Sequence, residues 1–195
     1  MGISGSISSQ IFRGLLNPDQ TARFRTLVVP HLADALAFAR WITRDRADAE
    51  DVVQEACIRA FRSLDRFAGS NAKAWLLTIV RNTAFTWLND KRRLSLVRLD
   101  DLSDQERLEV EQGEAREDDI SPEAAIIAVG ESALLDRHIS ELPMGFRVVL
   151  VLRDIQGLEY REISDVMGLP LGTVMSRLAR ARQRLIAQIR RERSS

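Results

Sequence analysis

The chain has 195 residues, 45% hydrophobic and 29% charged, which is enough apolar material to bury a core and too much for wholesale disorder. Apolar runs such as Val148 to Leu152 are too short to cross a bilayer, and no charged-then-apolar leader opens the chain. A single cysteine, Cys57, excludes an internal disulfide framework and a cysteine-built zinc site, and basic and acidic residues balance at 28 each.

That balance is uneven along the chain. Residues 23–94 hold 13 basic and 8 acidic residues, a net of +5, and residues 131–195 hold 11 and 8, a net of +3. Between them, residues 95–130 hold 3 basic and 11 acidic, a net of −8. From Thr173 to Arg193 there are seven Arg and one Glu. Two basic segments around an acidic one suggest work on nucleic acid.

In chain order, residues 1–22 form a Ser- and Gly-rich N-terminal tail. From Phe24 the apolar residues fall at helical spacing through Ile42, with a kink or helix start expected at Pro30. Asp48 reads as an N-cap for a helix whose apolar stripe runs through Val52, Val53, Ala56, Cys57, Ala60 and Phe61. Its other face shows Asp51, Gln54, Glu55, Arg59 and Arg62. That face has no His, Cys or Ser for acid–base or nucleophilic chemistry, so protein docking suits it better than catalysis. Ser70 or Asn71 caps a helix carrying Trp75, Leu76, Ile79, Val80 and Trp87 and ending in Lys91-Arg92-Arg93. Its mix of aromatic, basic and amide groups fits single-stranded nucleic acid, through stacking and charge neutralisation. There Trp75 is expected to pack, and Trp87, with the polar face, to open toward the strand.

Residues 95–130 lose periodicity and read as a solvated linker, with a helix start at Ser121-Pro122. Helices then follow over Leu134 to Leu142, ended by Pro143, and from Phe146, closed by Gly157. A short helix from Tyr160 to Met167 stops at Gly168, and a long one follows Leu169-Pro170. The last two helices and their Gly-containing turn make a helix-turn-helix pattern. The seam Val174, Leu178, Ala181 and Leu185 leaves Met175, Ser176, Arg177 and Arg180 elsewhere on the surface. Arginine suits both phosphates and guanine edges. The expected architecture is all-α: two small helical bundles, 23–94 and 131–195, joined by a flexible acidic linker. Fully extended, that linker reaches about 120 Å at ~3.3 Å per residue, so each bundle is expected to work as its own unit. His31 and His138 stand far apart and form no metal cluster. No metal, cofactor or catalytic residue is expected.

Two stretches carry a family resemblance. DAEDVVQEACIRAF at 48–61 with RFAGSNAKAWLLTIVRN at 66–82 resembles region 2 of the extracytoplasmic-function (ECF) sigma factors of the sigma-70 family. LPMGFRVVLVLRDIQGLEYREISDVMGLPLGTVMSRLARAR at 142–182 resembles their region 4. The order, spacing and acidic linker where region 3 is missing fit, over roughly 160 of the 195 residues. The resemblance implies a cytoplasmic subunit that binds core RNA polymerase, through its β′ clamp and β flap, and directs transcription initiation at particular promoters.

By position, it implies that Asp51, Gln54 and Glu55 dock on the β′ clamp helices. Ser70, Asn71 and Lys73 then capture an extruded base of the −10 element, and Arg81, Asn82 and Trp87 hold the melted strands. Thr173, Met175, Ser176, Arg177 and Arg180 match the helix that enters the major groove of the −35 element. Met175 departs from the family's usual Lys or Arg, which points to a thymine methyl in place of a phosphate or guanine. An anti-sigma partner that masks both bundles is expected. The alternatives are a sigma-like decoy that binds an anti-sigma factor without touching DNA, and a simple helix-turn-helix repressor. The Arg-rich last helix argues against the first. The acidic docking face and the aromatic–basic helix argue against the second.

Overall fold

The computed structural model describes residues 18–69, 71–96 and 132–193, with the side chains of 92–96, 132–133 and 193 left aside. Residues 1–17 of the expected tail, most of the linker, the Ser121-Pro122 helix start and Ser70 lie outside the described residues, while residues 18–22, expected as tail, are helical. Every regular element among the described residues is helical, as the periodicity predicts.

The N-terminal half opens with α1, Pro18–Leu27, and a 3₁₀ turn, Val29–His31, with Pro30 in its first turn. Proline lacks the N–H an α-helix interior needs, so the chain bends here and restarts as α2, Leu32–Thr43. Helix α2 buries Ala35, Phe38, Ala39 and Ile42, the i, i+3, i+4, i+7 stripe of an amphipathic helix. It ends at Arg44, which takes the left-handed conformation with φ 62°. Helix α3, Arg46–Ser63, is capped by Asp45, whose carboxylate accepts from the Asp48 N–H at 2.9 Å. The cap thus lies three residues before the expected Asp48. Asp45 has the extended backbone an N-cap requires, after the sharp turn at Arg44, and Asp48 falls in the first turn instead.

Four of the buried positions of α3 are Ala49, Ala56, Cys57 and Ala60, small enough to let α2 and α4 approach closely. Helix α4 is the 25-residue Ala72–Leu96. Asn71 caps it through Oδ1, which accepts from the Ala74 N–H at 2.9 Å. Leu76, Leu77, Val80 and Ala84 are fully buried, and the two leucines and the valine each contribute roughly 1.5–3 kcal/mol through burial of apolar surface. Phe24 of α1 closes the end of this bundle against Phe61, ring centroids 5.5 Å apart.

The C-terminal half runs through α5, Ser132–Glu141, and α6, Met144–Leu150. A wider π turn, Val151–Ile155, then ends as the Gln156 N–H bonds to the Val151 carbonyl at 2.8 Å. Helix α7, Tyr160–Met167, starts with a reciprocal capping box between Glu159 and Glu162 and stops at Gly168, whose φ of 65° suits glycine. Helix α8, Leu171–Arg193, lays Val174, Leu178 and Ala181 against α6 and α7. The two bundles are not held apart. Helix α4 packs on α7, α2 packs on α6 and the π turn, and the buried residues form one continuous core.

Candidate nucleic-acid interface

The outward face of α3 carries Asp51, exposed, and Gln54 and Glu55, half-buried. Glu55 pairs with Arg59 one turn on at 2.8 Å, and Asp48 is held by Lys91 from the far end of α4. Asp51, Gln54 and Glu55, spaced i, i+3 and i+4, share one face of α3 on the side away from its buried stripe. Cys57 sits on the opposite, buried side, where desolvation pushes its thiol up to about 12. At neutral pH it is an inert packing residue.

The start of α4 brings together the residues expected to hold a single strand. Asn71 spends its carbonyl on the helix cap and donates its amide to Glu162 of α7. Lys73 lies 3.0 Å from the Asp34 carboxylate and donates to the Gln156 carbonyl at 2.9 Å. Two turns further, Arg81 is half-buried over the Phe85 ring, its guanidinium 5.5 Å from the centroid, and burial lowers its pKa. Asn82, its neighbour, is exposed. Trp87 is half-buried against the core, and its indole N–H is shut away without a partner. Trp75 packs on Phe67 with centroids 4.8 Å apart. Both indoles therefore pack in this state, where only Trp75 was expected to. Beside Phe67 lies an open groove of about 480 Å³ lined by Arg23, Thr26, Leu27, Phe67, Ala68 and Gly69. Arg23 fixes its wall by donating to the Phe67 carbonyl at 2.7 Å.

On α8, Met175 is the most exposed large apolar side chain among the described residues, at 51%. Thr173, Ser176, Arg177 and Arg180 are half-buried along the same two turns. The five share the N-terminal part of one helix, as groove entry requires. Arg177 leans back toward α6 near Gly145, and burial lowers its pKa. Further along, Arg182 makes a two-pronged contact with Asp154, and Arg184 lies over the Phe146 ring at 4.6 Å. These two arginines fasten α8 to its own bundle.

Sequence reasoning missed four residues. Arg147, 1% exposed, donates to the carbonyls of Ser140 and Leu142 and so satisfies the end of α5 across the Pro143 turn. Asp34, Gln156 and Glu162 bind the start of α4. The E-Y-R-E spacing at 159–162 could have signalled the capping box; nothing local signals the others. His138 is buried with Nε2 2.6 Å from the Glu192 carboxylate. Among the described residues no group of three or more His, Cys, Asp or Glu is placed to hold a metal ion. No described helix is long and apolar enough to cross a membrane.

Known proteins match both halves. The Sigma-70 region 2 family model matches residues 27–94, and the Sigma-70 region 4 model matches residues 132–185. The ECF RNA polymerase sigma-E factor of Escherichia coli K12 is 38% identical over 140 residues, 70% of this chain and 71% of the relative. The chain is a member of the ECF sigma factors of the sigma-70 family. The RNA polymerase sigma-H factor of Pseudomonas aeruginosa is 35% identical to this sigma factor over 161 residues, 82% of each chain. Among solved structures, the sigma factor RpoE in complex with the anti-sigma factor NepR from Bartonella quintana aligns with a TM-score of 0.66 and 27% identity. That alignment covers 86% of this chain and 96% of the other. CnrH in complex with the cytosolic domain of CnrY gives 0.58 and 24% over 96% and 97%, a likeness of fold. The all-α, two-bundle expectation agrees with these neighbours, and none of the family names carries a catalytic activity.

Proposed function

We propose that this sigma factor divides its work among three surfaces and acts without an active site of its own. Residues 23–94 dock on core polymerase through Asp51, Gln54 and Glu55. They hold the melted −10 strand with Ser70, Asn71, Lys73, Arg81, Asn82 and Trp87. Residues 131–195 read the −35 element with Thr173, Met175, Ser176, Arg177 and Arg180. The observation that carries this reading is the outward face of α3 shared by Asp51, Gln54 and Glu55, paired with the first turns of α8, where Met175 stands exposed. Docking through the face of one helix and reading DNA through another needs no reacting group, only complementary charge and shape. The protein works where the polymerase is, in the cytoplasm. An anti-sigma factor regulates it; the complex of the similar RpoE with NepR supports this.

Two sets of variants separate the surfaces. Asp51→Ala with Glu55→Ala is expected to weaken polymerase binding and leave the fold intact. Arg180→Ala is expected to leave polymerase binding unchanged and to cost promoter binding about 1–3 kcal/mol. If both sets act equally on both measurements, the division of labour is wrong.

A further inference from the structure

The first turns of α8 have two unlike edges. Val174, Leu178 and Ala181 face the core and are buried. Leu171, Met175 and Ala179, each four residues on from the last, follow one another along one edge of the outward side. All three are exposed, Leu171 at 41% and Met175 at 51%. Thr173, Arg177 and Arg180 form the opposite edge, half-buried, with Ser176 between the two. Gly172 stands beside Leu171, and a Cβ placed there would meet nothing within 4 Å. Backbone as well as side chains can therefore come close to whatever lies against this turn.

What covers the apolar edge must also suit the arginines of the same helix, seven against one Glu from Thr173 to Arg193. The DNA major groove is such a surface: acidic at its phosphate walls, it offers an apolar group on its floor, the 5-methyl of thymine. The spacing agrees. At ~1.5 Å per residue, successive members of the apolar edge stand about 6 Å apart. Base pairs stack at ~3.4 Å, so neighbouring members address pyrimidines about one to two steps apart. Leucine and alanine have no hydrogen bond to offer a base edge, so the methyl is the feature they can distinguish.

We propose that Leu171 and Ala179 join Met175 in an apolar edge that reads pyrimidine 5-methyl groups in the major groove of the −35 element. The proposal rests on the assignment of α8 to that groove, and it adds two specificity-determining residues and the chemical group they recognise. The arginine edge then holds phosphates and guanines, while the apolar edge selects thymines at a fixed spacing.

The test removes the methyl and nothing else. The −35 element of a promoter that the holoenzyme transcribes is synthesised with each thymine replaced in turn by deoxyuridine, and affinity is measured for the full-length chain bound to core polymerase. Loss of affinity is expected at two or three thymines about one to two steps apart. Each should lose about fourfold, equivalent to ~0.8 kcal/mol for one buried methyl. Placing cytosine at such a thymine and then 5-methylcytosine is expected to regain about the same factor, because the methyl returns without the rest of the base. Leu171→Ala and Met175→Ala, both at exposed positions, are each expected to abolish the deoxyuridine effect at one of these thymines and leave the others sensitive.

Equal affinity for thymine and deoxyuridine at every position overturns the apolar edge, as does a deoxyuridine effect that both variants leave intact. Variants that weaken binding to core polymerase with no change in methyl sensitivity also overturn it, and make the edge a protein-docking surface. Arg180→Ala tests the underlying assignment separately. Unchanged promoter affinity in that variant would refute the −35 reading of α8, whereas a loss there without any methyl effect would refute only the edge.

Discussion

Replacing Arg147 with Ala perturbs the C-terminal bundle at a point that touches no proposed contact surface. The side chain is 1% exposed, and its Nη1 donates to the Ser140 carbonyl at 2.7 Å and the Leu142 carbonyl at 3.0 Å. The Ser140 carbonyl keeps a second donor in Arg44, so Leu142 is the one left short. A buried acceptor stripped of its donor costs about 1–3 kcal/mol. Two methylenes of the stem leave the core at ~0.8 kcal/mol each. Against these stands the desolvation recovered by removing a buried guanidinium, which brings the expected net loss to about 2–4 kcal/mol. In a chain of this length that corresponds to a fall in Tm of roughly 10 °C. Chemical denaturation read by circular dichroism measures the loss. Hydrogen exchange is expected to speed up at the ends of α5 and α6 before it does in α2 and α3. Polymerase binding at low temperature is expected to persist. A variant within about 0.5 kcal/mol of wild type, the range of an ordinary surface change, would refute the claim that Arg147 closes the α5–α6 turn.

The raised pKa of Cys57 predicts chemistry and stability together. The folded chain holds the thiol neutral up to about 12 against an ordinary 9.0, so its contribution is fully present below pH 9 and is lost as pH rises from 9 through 12. Cys57→Ala is expected to flatten that alkaline decline in denaturation experiments, and iodoacetamide to label Cys57 only after unfolding; rapid labelling of the native chain would contradict the burial. Met175→Arg is expected to add about one phosphate-type contact, steepening the dependence of promoter affinity on salt by roughly one, and to weaken any preference for thymine opposite it. Binding measured across a salt series and a set of single-base −35 variants checks both.

Much of this was legible because helices announce their ends. Gly168, with Leu169-Pro170 behind it, marks the α7–α8 turn as plainly in the sequence as its φ of 65° does in the fold. The stripe from Val52 to Phe61 finds its buried positions correctly. The misplacement of the α3 cap by three residues is of a different kind. Asp45 and Asp48 are equal as capping chemistry, and only the left-handed turn at Arg44 decides between them. The burial of Trp87 and the role of Arg147 depend on neighbours from other helices. The seam between the bundles lies furthest from reach, since it joins Asp34 to Gln156 across 122 positions and an intervening linker. Local periodicity carries no information at that distance. The family resemblance supplied the roles of the two halves, and their mutual contact comes from the structure.

The central claim is that this chain confers promoter specificity on core RNA polymerase. Run-off transcription with purified core polymerase and the full-length chain on genomic fragments tests it most directly. The account predicts discrete transcripts that appear only when the chain is added. They are expected to start downstream of one shared pair of −35 and −10 sequences and to vanish with Arg180→Ala. Tight binding to those fragments in the absence of polymerase, with no transcript when polymerase is present, would contradict it and leave a helix-turn-helix repressor in its place.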